Sequence, residues 1–265
     1  MTFGSVTLLL LGWGLMAVVM VALYAYQKSH ANAGIVDVGW AAGVGFLAIL
    51  YACFSDGFPM RRVALAAVAG IWGFRLAAYL FLDRVLPGEE DGRYRMLREQ
   101  WGERAQVNFF LFFQVQAFWA VLFSLPFLAV AVNSRAPWTG VDTAAVLIWL
   151  VAVTGETVAD RQLERFRNDP VNRGKTCRAG LWRYSRHPNY FFEWIHWFTY
   201  VLLGVGSSYF WVTLAGPVLM LLFLYKVTGI PYTEKQAMKS RGDDYRRYQE
   251  TTSAFIPWFP AKGKH

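Results

Sequence analysis

Residues 107–132, Val107-Asn-Phe-Phe-Leu-Phe-Phe-Gln-Val-Gln-Ala-Phe-Trp-Ala-Val-Leu-Phe-Ser-Leu-Pro-Phe-Leu-Ala-Val-Ala-Val132, contain no charged side chain. A helix needs roughly 20 consecutive apolar residues to cross the hydrocarbon core of a bilayer, and this run is long enough. Comparable apolar stretches lie at 3–26, 35–54, 62–82, 141–158, 188–206 and 209–229. The fold class expected is therefore all-α: a polytopic membrane protein of about seven transmembrane helices. The fifth stretch is the least regular, because it runs into Glu156 and Asp160. The stretch at 3–26 has no positive region before it and reads as a first span, not a cleaved leader. Composition agrees. The 265 residues are 55% hydrophobic and 17% charged, where a soluble domain of this length carries more charge and shorter apolar runs. A single transmembrane domain, 1–265, is expected.

The formal charge is +8, and its placement is more telling than its size. With the N-terminus outside, the cytoplasmic segments are 27–34, 83–106, 159–187 and 230–265, and they hold 21 of the 26 lysines and arginines. The other side has Arg61, Arg62 and Arg135, while Arg75 and Lys226 fall within spans. Basic residues gather on the cytoplasmic side of membrane proteins, so an outside N-terminus and a cytoplasmic C-terminus are expected. That rule accounts for the basic balance by itself, and no nucleic-acid partner is expected.

Other classes are excluded by count. Two cysteines, Cys53 and Cys177, fall on different sides or depths and imply no disulfide framework. Four histidines are too few for a membrane di-iron oxygenase. Glu193 and His196 make one Glu-x-x-His, but no second copy exists, so no metal site is expected. Gly43-Val-Gly45-Phe-Leu-Ala48 loosely matches a dinucleotide-binding pattern. It lies inside an apolar helix with no strand before it, and reads as a small-residue packing surface.

Ionisable groups inside a bilayer are functional candidates by default. Here they are Asp37 at the start of span two, Arg75 mid-span three, Glu156 and Asp160 ending span five, and Glu193, His196 and Lys226 beyond. The bland alternative for any one of them is a packing ion pair. The densest cluster is Arg178-Ala-Gly-Leu-Trp-Arg-Tyr-Ser-Arg-His-Pro-Asn-Tyr-Phe-Phe-Glu193. Pro188 suits the first turn of a helix. Free amides there, with Arg183 and Arg186 adjacent, suggest an anion site. Asn189 and Glu193 are four apart and share a helix face. Glu156, Asp160, Leu163 and Arg167 recur at helical spacing, so two acids and a base share one stripe. The acids suit a ribose hydroxyl or carboxamide and the base suits phosphate. The loop 83–106 is charged and predicts an interfacial helix around Arg93–Trp101. The tail after Ile230 is aromatic enough to be expected back against the bundle.

The stretch GLWRYSRHPNYFFEW (180–194), the spacing Glu156, Asp160, Leu163, Arg167 before it, and Tyr248 with Phe255-Ile-Pro257 near the end resemble the C-terminal region of the steroid 5α-reductase family, most closely a bacterial branch of it. The resemblance covers roughly 70–260. Its Arg-His-Pro-x-Tyr core is shared with isoprenylcysteine carboxyl methyltransferases and phospholipid methyltransferases. It implies a seven-helix fold that binds NADPH from the cytoplasmic side and takes a lipophilic substrate from the bilayer. Carried over by position, Asp160, Arg167, Asn189 and Glu193 match cofactor-binding positions, and Arg75 with Tyr79 and Asp83-Arg84 match another. Arg183, Arg186, His187 and Tyr190 belong to the same motif. Glu234 falls near a family histidine that approaches the cofactor, and Tyr245 and Tyr248 match aromatic positions of the tail. The family's substrate-binding Tyr and Gln-Glu pair have no counterpart. The Tyr position is Trp72, and Asp37 is the only acid in 35–54.

The expected reaction is NADPH-dependent reduction of a polarised carbon–carbon double bond in a steroid-like or other lipophilic substrate. A hydrogen-bond donor at the substrate carbonyl stabilises the developing enolate. Asp37, taken as a protonated side chain, is the expected catalytic donor, with Tyr79 in reserve. The alternative is S-adenosylmethionine-dependent methyl transfer to a lipid or prenyl-cysteine. A third class is a lipid-binding protein without catalysis. Membrane lipids are the expected surroundings, and a bacterial inner membrane the expected location.

Overall fold

The structure is a computed structural model that describes residues 2–227 and 229–261. Its backbone is helical, with no strand among the described residues. The helices are α1 (Ser5–His30), α2 (Ile35–Phe54), α3 (Pro59–Leu80), α4 (Gly92–Trp101), α5 (Ala105–Ala131), α6 (Gly140–Asn168), α7 (Pro188–Leu203), α8 (Phe210–Thr213), α9 (Ala215–Leu222), α10 (Ile230–Arg241) and α11 (Asp243–Thr251). Short π-helical turns at Phe81–Val85 and Phe223–Val227 extend α3 and α9.

Six helical stretches among the described residues are long and apolar enough to cross a bilayer: Ser5–His30, Ile35–Phe54, Pro59–Val85, Gly92–Ala131, Gly140–Asn168 and Phe210–Arg241. The protein is a polytopic membrane protein. The stretch 188–206, expected as a further span, forms α7 of 16 residues. Gly204 and Gly206 follow it, and Gly206 has a φ of 86°, a backbone conformation glycine adopts without steric penalty. Thr228 of the last expected stretch lies outside the described residues. Lipid contact is written on α1, where Val6 and Val18 are each 70% exposed. A water-facing helix would place charges there.

The chain divides into two compact units, Met1–Asp142 with Leu203–Ala215, and Thr143–Leu202 with Gly216–His265. In the first unit, α2 and α3 approach through glycines. A Cβ on Gly73 would stand 2.8 Å from both the Ala41 carbonyl oxygen and the Gly45 Cα. Gly45 of the dinucleotide-like pattern is thus a packing surface, as the sequence predicts. Tyr51 and Ser124 pair their hydroxyls at 3.0 Å between α2 and α5. Arg61 near the start of α3 is buried and donates to Asp142 at 2.7 and 3.0 Å, a two-pronged pair. Asn133 donates to the carbonyls of Leu203 and Val205, and Ser207 to that of Ala129, which fastens Leu203–Ala215 to the end of α5.

In the second unit, Gly155 of α6 lies under the ring of Phe192 on α7, where an added Cβ would stand 2.5 Å away. The loop before α7 docks on α6: Trp182 donates to the Ala159 carbonyl at 2.9 Å, and the Leu181 amide to Gln162 at 2.9 Å. The tail folds back onto this unit, as expected. Phe255 packs against Phe191, Trp194 and Tyr225 with centroids 5.5 to 5.8 Å apart.

Candidate functional site

In the first unit, Asp37 sits in the first turn of α2, where unpaired helix amides favour a carboxylate. The π-helical turn after α3 brings Arg84 onto it, and the two make a very short ion pair. Arg93 of α4 donates to the same oxygen at 2.9 Å, and the Tyr94 hydroxyl to the other at 2.6 Å. Asp91 caps α4 by accepting from the Arg93 amide at 2.8 Å. Burial by itself would raise the Asp91 carboxyl, but the hydrogen bonds and charge of Arg93 outweigh it and hold the group below the usual range. Beside this, Glu90 accepts from the Ala33 amide at 2.9 Å and from Arg98 at 2.7 Å. The helix expected around Arg93–Trp101 is α4, and this network clasps it to the start of α2.

The setting of Asp37 differs from that of a lone protonated donor. Both its oxygens accept hydrogen bonds, two of them from guanidiniums, so in this arrangement it offers none. The sequence reading missed Arg93 and Tyr94 as its partners; the charged loop 83–106 was the available signal. Tyr79 is half-buried on α3, one turn beyond half-buried Arg75, and packs against the cluster of Ala41, Ala77 and Leu80. Trp72 is fully buried.

In the second unit, Asn189 of α7 donates to Asp160 of α6 at 3.0 Å. Glu193, one turn on, accepts from Trp197 at 3.1 Å, and His196 meets the Tyr200 hydroxyl at 2.7 Å. Glu156, Asp160, Glu193 and His196 are all buried. Three of the expected cofactor residues, Asp160, Asn189 and Glu193, therefore belong to one buried polar row on a helix pair. Trp197 and Tyr200 were not anticipated within it.

A second set meets at the tail. Arg186 donates to Glu234 at 2.7 Å, and His187 lies 3.3 Å from the same oxygen. Gln249 donates to the other oxygen of Glu234 at 2.9 Å. Tyr190 stacks on the His187 ring, with centroids 5.3 Å apart. Tyr248 donates to the Ser185 carbonyl at 3.0 Å and makes a shorter bond to that of Trp182. Burial pushes the Tyr245 and Tyr248 phenols well up and pushes the His187 imidazole down. Arg186 was expected to hold an anion, but its donors go to Glu234 and to tail carbonyls, because the tail reaches it first. The amide of His187 is likewise taken by Ser185. Arg183 is exposed on the short 3-10 turn Gly180–Arg183.

Arg167 stands apart from both sets. It lines a cavity of about 170 Å³ with Leu163, Arg173, Lys175 and Arg241, into which Asn189 and Glu193 do not open. Three of those cations lie outside the expected site, since neither loop position nor helix spacing marks them.

No cluster of three metal-ligating side chains occurs among the described residues. No curated protein and no solved structure matches the chain. The family described as "protein of unknown function (DUF1295)" matches residues 23–252. That match takes in the Asp37 clasp, the polar row of α6 and α7 and most of the tail, so the protein belongs to the DUF1295 family, which is related to the steroid 5α-reductases.

Proposed function

We propose that the chain is a membrane-embedded, NADPH-dependent reductase of a polarised carbon–carbon double bond in a lipophilic substrate. The observation that carries this reading is the buried row of Glu156, Asp160 and Glu193 across α6 and α7, with Asn189 bonded into it. Carboxyl groups within membrane helices are costly, and three on one helix pair are difficult to explain as packing. The kinship with steroid 5α-reductases supports the same reading.

The residues present fit the cofactor's chemistry. Carboxylates and an amide suit ribose hydroxyls and a carboxamide. Arg167, two turns along α6 from Asp160, suits phosphate. When bound, NADPH supplies a hydride to the β-carbon of the substrate. Asp160 and Asn189 hold one another in a fixed orientation and present the polar edge of the row. A hydrogen-bond donor at the substrate carbonyl oxygen would offset the charge that develops there. Asp37 is assigned to the clasp that orders α4. The apolar surroundings exclude water from the reacting atoms. In this reading the basic segments face the cytoplasm, α7 is a short seventh crossing, and the membrane is a bacterial inner membrane.

The test is made on the purified full chain in lipid nanodiscs, by thermal shift with NADPH and with S-adenosylmethionine and by NADPH oxidation with a panel of enone lipids. Stabilisation by NADPH with turnover of at least one enone is expected. Stabilisation by S-adenosylmethionine alone would move the reading to methyl transfer, and neither binding nor turnover would remove it.

A further inference from the structure

The cavity beside Arg167 is walled by four cations from three places: Arg167 from the end of α6, Arg173 and Lys175 from the loop after it, and Arg241 from the end of α10. No carboxylate lines it, and none of the four makes an ion pair among the described residues. Helix C-termini attract cations, which accounts for Arg167 and Arg241 taken singly. It does not account for the loop residues turning onto the same hollow.

The loop is held in that shape. Asn172 donates to the Phe166 carbonyl at 3.2 Å, and the Lys175 amide to that of Asn172 at 3.0 Å, across Gly174 at a φ of 77°. Asp244 does not line the cavity, although its charge favours the Arg241 guanidinium. It accepts from the Thr176 amide and from Arg178, both at 2.8 Å, and these bonds hold its carboxyl below the usual range although burial opposes that. At Arg241 the repulsion from Arg167 exceeds the attraction of Asp244; like charges brought together repel, and an anion relieves that repulsion. A volume of 170 Å³ equals that of about six liquid waters, enough for a phosphate group with part of its hydration.

We infer that this cavity is a receptor for a phosphomonoester dianion, whose organic remainder stays outside. Two sources share that chemistry, a soluble phosphate ester and the headgroup of a phosphatidic-acid-like lipid. The inference shares Arg167 with the reductase reading but does not need hydride transfer, so a chain that fails every NADPH assay can still pass this test.

The experiment uses the full chain in nanodiscs and the paired substitution Arg173→Glu with Lys175→Glu, both exposed loop positions. Arg165→Glu, exposed on α6 outside the cavity, is the control for general charge. Glycerol 3-phosphate is titrated into phosphatidylcholine nanodiscs, and thermal stability is compared between phosphatidylcholine and phosphatidic acid nanodiscs. A Kd for glycerol 3-phosphate that rises at least about tenfold in the paired variant, with Arg165→Glu near wild type, identifies the soluble source. Stabilisation by phosphatidic acid alone, lost in the paired variant, identifies the lipid. If the reversal perturbs helicity, Arg173→Gln with Lys175→Gln replaces it. Equal behaviour of wild type and paired variant toward both probes, or equal weakening by Arg165→Glu, overturns the inference.

Discussion

Arg186 and Glu234, 48 residues apart in the chain, meet at 2.7 Å, and the same guanidinium reaches the carbonyls of Gln249 and Thr252 at 3.1 and 2.6 Å. One side chain thus ties the start of α7 to α10 and to the last described segment. Arg186→Ala strips Glu234 of its cation and should destabilise the unit by about 3 kcal/mol. Limited proteolysis should then cut within 242–261 well before wild type. Arg186→Lys should recover only part of the protection, because an ammonium cannot reproduce the planar fork.

The Asn189–Asp160 bond separates binding from stability. Asn189→Ala removes one hydrogen bond to a buried carboxylate, a loss of about 1–3 kcal/mol. On the proposed function it also weakens NADPH at least about tenfold. Glu164→Ala, an exposed position on the same helix, should leave both the melting temperature and the NADPH titration near wild type.

Acid should loosen the tail through His187. Burial, with some help from Arg186, holds its imidazole below the ordinary value of 6.5, against an opposing pull from Glu234. As pH falls through that value the unfolded chain takes up a proton first, so stability present at higher pH declines toward the lower folded value. Melting curves between about pH 8 and about pH 5.5 should show this decline, and His187→Gln should flatten it.

Gly73→Ala tests the contact of α2 with α3. Its new Cβ meets backbone atoms at 2.8 Å, and these cannot turn aside as a side chain would. A loss of about 1–3 kcal/mol is expected. Gly14→Ala, with open space around it, should leave the melting temperature unchanged or slightly raised.

Much of the scaffold is legible in the sequence because lipid imposes a local rule. Residues 107–132 carry no charge over a whole span, and their helix is α5. Gly43 and Gly45 read as packing residues for the same reason. The end of α7 at Leu203 was not legible, because hydropathy does not register the stop made by Gly204 and Gly206. Partners distant in sequence were the harder part. Nothing local to Asp37 announces Arg93 or Tyr94, 56 and 57 residues later. Nothing local to Arg186 says that tail carbonyls rather than an anion will meet its guanidinium. The acids of α6 were visible by helical spacing, whereas Arg173, Lys175 and Arg241 converge only once the loop has turned.

The Arg61–Asp142 pair bears on the order of biogenesis. A ribosome releases Arg61 into the membrane 81 residues before its counter-ion, and the strand of contacts that Asn133 and Ser207 make with the far end of α5 waits longer still. The first unit is therefore finished only when Leu203–Ala215 has been synthesised, and nascent chains arrested before that stretch should remain substrates for quality-control proteases even though all five of their leading helices are already inserted.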